Sequence, residues 1–288
     1  MPDGVLLLAH GTPDSLDQMP AYLTRVRGGR PPSEELVREM THNYAAIGGR
    51  SPLTDITEAQ GQALAAAIGR PVYVGMRNWE PLVAGALARA AADGVRSLRA
   101  IPLAPQYSTL SVAKYRDAVE QSRPADVAIQ FVGSWHEHPL LLEAFAEKLQ
   151  AKRASFAPDV VLFTAHSLPA RVVSQGDPYP DQVRATASGV AARAGLETWG
   201  LAYQSAGRTA EPWLGPSVEE MLGIVAGEGA RRVLVCAIGF VCDHTEILFD
   251  LDIQAAEAAR SHGLELARTE SLNTSPTFIR ALADLALA

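Results

Sequence analysis

The sequence contains only two cysteines among its 288 residues, Cys236 and Cys242, and no run of 18 or more apolar residues. Two cysteines exclude a disulfide framework and any cluster held by four thiolates, so no iron–sulfur cluster is expected. Without a long apolar run there is no transmembrane segment, which leaves at most a peripheral contact with a membrane. Because no basic segment precedes an apolar stretch at the N-terminus, we expect an unprocessed, cytoplasmic protein.

Positive charge is also scarce. The chain has 25 Lys and Arg residues against 32 Asp and Glu residues, which gives a formal net charge of −7 at pH 7. Binding to nucleic acid requires a clustered excess of basic residues, so this balance argues against such a partner. Neither G-x-G-x-x-G nor G-x-x-x-x-G-K-[ST] follows any strand-like segment, and a nucleotide-dependent α/β enzyme is therefore not supported.

The chain instead consists of apolar, β-rich segments separated by helix-like segments rich in Ala, Leu and Glu. The β-rich segments are VLLLA, VYVGM, LRAIPLA, VAIQFV, VVLFTA, LAYQ and VLVCAIGFV. Strands that are apolar on both faces and alternate with helices predict parallel sheets covered by helices. The chain is long enough for two domains, and 48% of its residues are hydrophobic.

Segments early in the chain are repeated in the same order later. Residues 5–13, VLLLAHGTP, resemble residues 161–169, VLFTAHSLP, and residues 93–109 align without a gap with residues 228–244. This repetition predicts two similar α/β halves. Ligands of such sheets bind beyond the carboxyl ends of the strands, so we expect one shared cleft there. The polar residues at these ends are His10, Arg77, Tyr107, His166, Ser205 and His244.

The candidate chemistry is carried by an imidazole and carboxylates. His166 follows the segment VVLFT, and CDHTEILFD places His244, Glu246 and Asp250 after another buried segment. On a helix, Glu246 and Asp250 lie on one face because they are four residues apart. A neutral imidazole with a carboxylate can bind a divalent metal or accept protons, and two ligands suit a metal that passes through. The alternative interpretation is a capping or core histidine and a solvated acidic helix N-terminus.

The motifs AHSLP, GDPYPDQ, PWLGP and GFVCDHTEILFDLD occur in this order. With this spacing the chain resembles the ferrochelatase family over essentially its whole length. The resemblance implies a lyase of haem biosynthesis that inserts Fe²⁺ into a free-base porphyrin. It also implies an α/β fold of two Rossmann-like domains, each a four-stranded parallel sheet flanked by helices, with the active-site cleft between them. We assign the domains to residues 1–112 and 113–288 and expect the last helix to pack back on the first domain.

The resemblance also implies a site. Its catalytic residues are His166, Glu246, His244 and Asp250, with iron bound by His166 and Glu246. We expect His166 to take the pyrrole protons or to ligate iron briefly, Glu246 to assist, and His244 to orient Glu246. Asp250 carries protons or metal along a helix that the resemblance implies to be π-distorted. Iron and porphyrin are substrates, and no prosthetic group is expected. The predicted porphyrin-binding residues are His10, Arg27, Tyr44, Ser51, Arg77, Tyr107, Tyr115 and Trp213.

The choice of porphyrin follows from the N-terminal segment YLTRVRGGRPPSEELVREM, which is rich in arginine. Arginine binds carboxylates in bidentate geometry, so the tetracarboxylate coproporphyrin III is favoured. Ferrochelatases of the protoporphyrin IX type carry an apolar lip here. Two features point the other way, since His10 replaces the Tyr common in the coproporphyrin type and ESLNTSPTFIRALADL resembles the protoporphyrin type.

Some residues differ from those of other family members, and two alternative functions are considered. Gln254 and Asn43 replace a Glu and an Arg of some relatives, which argues against a second, outer metal site. His10 is a candidate axial ligand to iron from the face opposite His166. The alternative functions are a cobalt or nickel tetrapyrrole chelatase of the same architecture and a haem-binding module without catalysis.

Overall fold

The computed structural model of the chain describes residues 2–207 and 209–288. Within these residues the chain forms two four-stranded parallel sheets. The first has the order β2-β1-β3-β4 and the second the order β6-β5-β7-β8. The strands of the first sheet are β1 (Gly4–Ala9), β2 (Val72–Met76), β3 (Ser97–Pro102) and β4 (Ala128–Phe131). The strands of the second are β5 (Val160–His166), β6 (Gly200–Gln204), β7 (Arg232–Cys236) and β8 (Glu265–Arg268).

Helices connect the strands. Those up to β4 are α1 (Met19–Val26), α2 (Glu34–Ala46), α3 (Leu53–Ile68), α4 (Val83–Ala92) and α5 (Val112–Ser122), with a 3₁₀ turn at Leu16–Gln18. Those that follow β4 are α6 (Pro139–Phe156), α7 (Arg171–Ser174), α8 (Tyr179–Ala194), α9 (Val218–Gly227), α10 (Thr245–Leu248), α11 (Ala256–Ser261) and α12 (Pro276–Leu287). A π-helix, Asp250–Ala255, lies between α10 and α11. Among the described residues no helix is both long and apolar enough to cross a membrane.

The α/β prediction with two four-stranded parallel sheets flanked by helices is confirmed. All six residues of β1 are buried, as expected for a parallel strand covered on both faces. Leu6 and Leu8 pack into one apolar cluster, and Leu7 packs into another on the opposite face. The cluster of Leu7 also contains Phe163 of β5 and Phe278 of α12, so one core joins the two sheets.

The repeated segments occupy equivalent places in the two sheets. β1 lies second in its sheet between β2 and β3, and β5 lies second in its sheet between β6 and β7. The seven β-rich segments of the sequence correspond to β1 through β7. They do not include β8, whose residues are exposed or only partly buried at the edge of the second sheet.

Sheet membership bears on the division into domains. β4 lies beyond residue 112, the predicted end of the first domain, yet it pairs with β3 of the first sheet. α12 packs against α3 and β3 from the first half and against α6 from the second. We therefore propose a boundary between β4 and β5 in place of the one after residue 112, with α12 returning to the first half.

Candidate active site

The carboxyl ends of strands from both sheets open onto one cavity of about 670 Å³. This volume lies in the range of ligand pockets. His10 follows β1, and Arg77 follows β2 in the first half, while His166 ends β5 and Ser205 follows β6 in the second. The predicted site residues that line the cavity are His10, Tyr44, Ser51, Arg77, Tyr115, His166, His244, Glu246 and Asp250.

Three predicted porphyrin-binding residues lie outside this lining. Arg27 is exposed at the C-terminal end of α1. Tyr107 lies in the loop after β3, where its backbone N–H donates to Gln182 Oε1 of α8 at 2.7 Å. The ring of Trp213 packs on Gly207, where a Cβ would come within 2.6 Å of the ring, and Gly207 lines the cavity whereas Trp213 does not.

Two imidazoles face one carboxylate at the centre of the cavity. His166 Nε2 lies 3.6 Å from Glu246 Oε1, and His244 Nε2 lies 3.6 Å from Glu246 Oε2. The Nδ1 atoms of both rings contact backbone carbonyl oxygens, of Ser167 and Cys242 respectively. A carbonyl can only accept, so both Nδ1 atoms carry a proton and both Nε2 atoms face the carboxylate.

Buried side chains of the second sheet fix this group. Gln204 at the end of β6 donates from Nε2 to the carbonyl oxygen of Glu246 at 2.6 Å and accepts from Thr164 at 2.9 Å. Tyr179 donates its hydroxyl to the carbonyl oxygen of His166 at 2.9 Å. At Gly239 a Cβ would lie 2.8 Å from Ala165 Cα, so only glycine permits the loop after β7 to approach the end of β5 this closely.

The helix that carries the carboxylates is irregular. α10 has only four residues and is followed by the π-helix, which begins at Asp250. Asp250 accepts a hydrogen bond from the hydroxyl of Ser205, a residue with a left-handed φ of 60°. Gln254, farther along, donates to Glu219 of α9 at 2.9 Å. π-Turns are rare and concentrate at functional sites.

Comparison with known proteins identifies the family. Residues 2–288 match the ferrochelatase family. A ferrochelatase of Deinococcus radiodurans is 44% identical over 99% of this chain and 95% of its own. The chain belongs to the ferrochelatase family. It is thus a porphyrin metal chelatase, a lyase of haem biosynthesis that inserts iron into a porphyrin.

Two further relatives are informative in different ways. A coproporphyrin III ferrochelatase of Geobacillus thermodenitrificans is 36% identical over 99% of this chain and 95% of its own. A sirohydrochlorin chelatase of Bacillus subtilis subspecies spizizenii, solved in complex with cobalt, has a TM-score of 0.61. It is 9% identical, and the match covers 100% of this chain and 94% of that chain. This last likeness shows the fold alone.

The central residues of this ferrochelatase fold form an ion pair. Burial favours neutral His166, but the charge and hydrogen bond of Glu246 outweigh it and raise the pKa of His166 to about 9. Burial would raise the pKa of Glu246, yet His166 and His244 hold that pKa well below its ordinary value. At neutral pH the imidazole of His166 is therefore charged and the carboxylate of Glu246 is ionised.

The pKa values of a neighbouring carboxyl group and a neighbouring imidazole are shifted in the directions opposite to those of Glu246 and His166. Burial and then the negative charge of Glu246 raise the pKa of Asp250 to about 7, against the hydrogen bond from Ser205. Burial and then the charge of Arg77 lower the pKa of His10 to about 4. His10 is therefore neutral at pH 7, and Nδ2 of Asn78 lies 3.0 Å from its Nε2. Asp250 titrates within the range in which enzymes work.

The sequence analysis assigned no role to several residues that hold the site. Tyr179 and Asp177 belong to the motif GDPYPDQ. The motif indicated the family, but it did not predict which residues these two side chains contact. Asp177 accepts from Ser108 Oγ at 3.0 Å and from the N–H and Oγ1 of Thr109, both at 2.7 Å. This carboxylate ties the loop after β3 to the second half of the molecule.

Proposed function

We propose that the enzyme inserts Fe²⁺ into coproporphyrin III, with His166 and Glu246 acting at the centre of the macrocycle. The observation that carries the substrate class is Arg77, a cation in the cavity wall. Among the described residues its buried Nε has no hydrogen-bond partner, and its guanidinium lies 5.5 Å from the ring centre of Tyr115. A buried cation without a counter-charge is costly, and a porphyrin carboxylate supplies one in good geometry.

The exposed arginines near α1 support a porphyrin with more than two carboxylates. Arg25 lies 4.0 Å from Glu80, and Arg38 lies 3.5 Å from Glu34, so both have acidic neighbours. Arg27 is exposed and has no acidic partner within the described ranges. The proposal assigns Arg27 to a carboxylate at the cavity mouth. A relative named as a coproporphyrin III ferrochelatase, 36% identical over nearly the whole chain, supports the choice of this substrate.

Protoporphyrin IX is the second candidate substrate. The cavity wall contributed by α2 and the start of α3 includes the apolar side chains of Leu36, Met40 and Leu53. Such a wall suits the vinyl groups of protoporphyrin, which replace two of the carboxylates. The relative contributions of Arg27 and of this apolar wall to porphyrin binding therefore decide which substrate is preferred.

The proposed chemistry begins from the ion pair. His166 has to lose the proton on Nε2 before it can take a pyrrole proton or ligate iron. Two acceptors are available, since Glu246 lies 3.6 Å away and Asp250, with a pKa of about 7, is coupled electrostatically to Glu246. We assign proton removal to this path, which leads along the face of the π-helix. His244 keeps Glu246 oriented during the transfer.

Iron is treated as a passing substrate. Over residues 2–207 and 209–288 no group of three or more His, Cys, Asp or Glu residues is arranged to hold a metal ion. We propose that iron is bound in passing by two protein ligands, His166 and Glu246. His10, neutral at pH 7, is proposed to face the opposite side of the ring. The cytoplasmic location stays a prediction.

Anaerobic Fe²⁺ insertion into coproporphyrin III and protoporphyrin IX, measured side by side, tests this function. We expect kcat/KM to be at least about tenfold higher for coproporphyrin III, equivalent to about 1.4 kcal/mol of transition-state stabilisation. The added carboxylates supply that difference through Arg27. Equal values, or a preference for protoporphyrin IX, would contradict the proposed substrate.

A matched pair of variants locates the origin of the preference. Arg27→Ala is expected to remove most of the preference by raising KM for coproporphyrin III. Arg38→Ala, which removes an arginine already beside Glu34 on the neighbouring helix, should leave both substrates unchanged. Equal behaviour of the two variants would remove Arg27 from the proposal.

A further inference from the structure

Arg268 connects two parts of the chain that flank α10. Its side chain is only 16% exposed at the end of β8. Nε lies 2.8 Å from Asp252 Oδ1 and Nη2 lies 2.9 Å from Asp252 Oδ2, a bidentate pair with a residue of the π-helix. Nη2 also lies 3.4 Å from Oδ1 of Asp243, which precedes α10. One guanidinium thus holds both ends of the segment from residue 243 to residue 252.

Three hydrogen bonds hold Asp243 in place at this end of the segment. Its Oδ1 accepts from Ser271 Oγ at 2.7 Å and its Oδ2 accepts from Asn273 Nδ2 at 2.8 Å. Its backbone N–H donates to Asn273 Oδ1 at 2.9 Å. Asn273 has a left-handed φ of 43°, which asparagine tolerates better than most residues. Asp243 immediately precedes His244 in the chain, so these contacts also fix the start of α10.

The segment held in this way is not a regular helix. α10 has four residues and continues through Phe249 into the π-helix and then α11, so it is the first turn of one irregular helix. The π-helix that follows replaces the regular i→i−4 bonding pattern. The same segment carries His244, Glu246 and Asp250. Its position relative to His166 on β5 must therefore be set by contacts from outside the segment.

The network also reaches the first half of the molecule. The carbonyl oxygen of Asn273 accepts from Nε2 of Gln60 at 2.9 Å. Gln60 belongs to α3 and is fully buried. Contacts therefore run from α3 through Asn273 and Asp243 to Arg268. The segment with Glu246 is thus linked to both halves of the molecule.

We propose that Arg268 is a positioning residue that keeps Glu246 and His244 at the distance from His166 that metal insertion requires. This inference rests on the proposed role of Glu246. Arg268 is not part of the cavity lining, and it reaches the segment with Glu246 through Asp243 and Asp252, while its Nη1 donates to Thr269 O and Ser271 Oγ. The planar guanidinium is required because a lysine ammonium cannot bind one carboxylate in bidentate fashion while reaching another.

The test compares Arg268→Lys with a control on the same strand. Arg268→Lys keeps the charge but loses the bidentate geometry. Glu265→Gln breaks the ion pair between Glu265 and Arg232, which are 3.0 Å apart at the other end of β8. The full-length enzyme is assayed for kcat, for the KM of the porphyrin and for its thermal unfolding midpoint. This set of readouts separates positioning from folding.

For Arg268→Lys we expect kcat to fall about 10-fold to 100-fold, since displacements of about 1 Å at a reacting group cost this much. The porphyrin KM should stay within about twofold, because the cavity wall is unchanged. Glu265→Gln should match the wild-type enzyme in both constants. A folded Arg268→Lys variant with wild-type kcat would overturn the proposal, as would equal losses of kcat in the two variants.

Asp252→Asn decides the matter if Arg268→Lys does not fold. Asp252 is half-exposed, and its replacement leaves the contact between Arg268 and Asp243 in place. The proposal predicts a smaller fall in kcat with unchanged KM, and a wild-type kcat overturns it. Glu246→Gln in the same assay distinguishes failure of the proposed function from failure of the positioning role. If Glu246→Gln is fully active, the proposed function is wrong. If Glu246→Gln is inactive and Arg268→Lys has wild-type activity, only the positioning role of Arg268 is wrong.

Discussion

Replacing His166 with alanine lowers the rate of iron insertion by about a thousandfold in this account and leaves porphyrin binding nearly unchanged. General acid–base catalysis by a positioned side chain contributes about 10²-fold to 10⁴-fold, and His166 is assigned both proton transfer and iron contact. Its ring is one small part of a cavity wall drawn from both sheets, so the porphyrin keeps most of its contacts. Anaerobic single-turnover insertion gives the rate, and quenching of porphyrin fluorescence gives the binding constant.

A histidine outside the cavity provides the control for this experiment. His262 is exposed after α11, and His262→Ala is expected to insert iron at the wild-type rate. If His166→Ala retained more than about a tenth of the activity, well above the range expected for loss of a general base, His166 could not carry the chemistry. Loss of porphyrin binding in parallel with activity would point to a structural role instead.

Replacing Glu246 with glutamine has two expected effects. Glutamine keeps the shape of the side chain but removes its charge, so we expect insertion to slow by about a hundredfold. The second effect concerns His166. Burial, the largest influence, lowers its pKa, and the charge and hydrogen bond of Glu246 raise it to about 9. Without that charge only the Ser167 carbonyl and Asp250 still oppose burial, so we expect the pKa of His166 to fall and the imidazole to lose its proton at a lower pH than in the wild-type enzyme, where it stays charged until the pH rises through about 9.

NMR titration of histidine-labelled enzyme measures this second effect directly. The His166 signal is assigned by its absence in His166→Ala, and its titration is compared between the wild-type enzyme and Glu246→Gln. Glu228→Gln is the matched control, because Glu228 is exposed at the end of α9 and should leave the titration unchanged. Titration of His166 near its ordinary value in both proteins would contradict the ion pair.

The fold could be predicted from the sequence because most strands are buried on both faces. Such strands appear as continuous apolar runs, which identified most of β1 through β7. β8 was not predicted, because this edge strand with the sequence ELAR is only partly buried and has no such run. The domain boundary was harder to assign, since β4 is short and alternates exposed with partly buried residues, which gives little sign of the sheet it joins.

The central residues of the site were also predictable, but their surroundings were not. His166 and Glu246 follow strands whose ends meet in one cleft, and the repeated segments indicated that meeting point. Trp213 is an example, because only the folded loop reveals that Gly207 lines the cavity and that Trp213, which packs on it, does not. Arg268 is a second example. It contacts Asp243 and Asp252 because it lies at the end of β8, a strand that the sequence did not indicate.

The ionisation of the site could not be predicted from residue types either. The sequence analysis treated His166 as a neutral base, which is the ordinary state of a histidine at pH 7. The structure places its Nε2 beside a carboxylate that a second imidazole also faces, and this arrangement makes the charged form the stable one. The proposed mechanism therefore starts with proton loss from His166.

A crystal structure of the enzyme with bound coproporphyrin III tests the central claim most directly. We expect the macrocycle to lie between the two halves, with the side chains of His166 and Glu246 at its centre on one face and His10 on the other. A ring bound elsewhere, or one whose edge rather than centre faces His166 and Glu246, would contradict it.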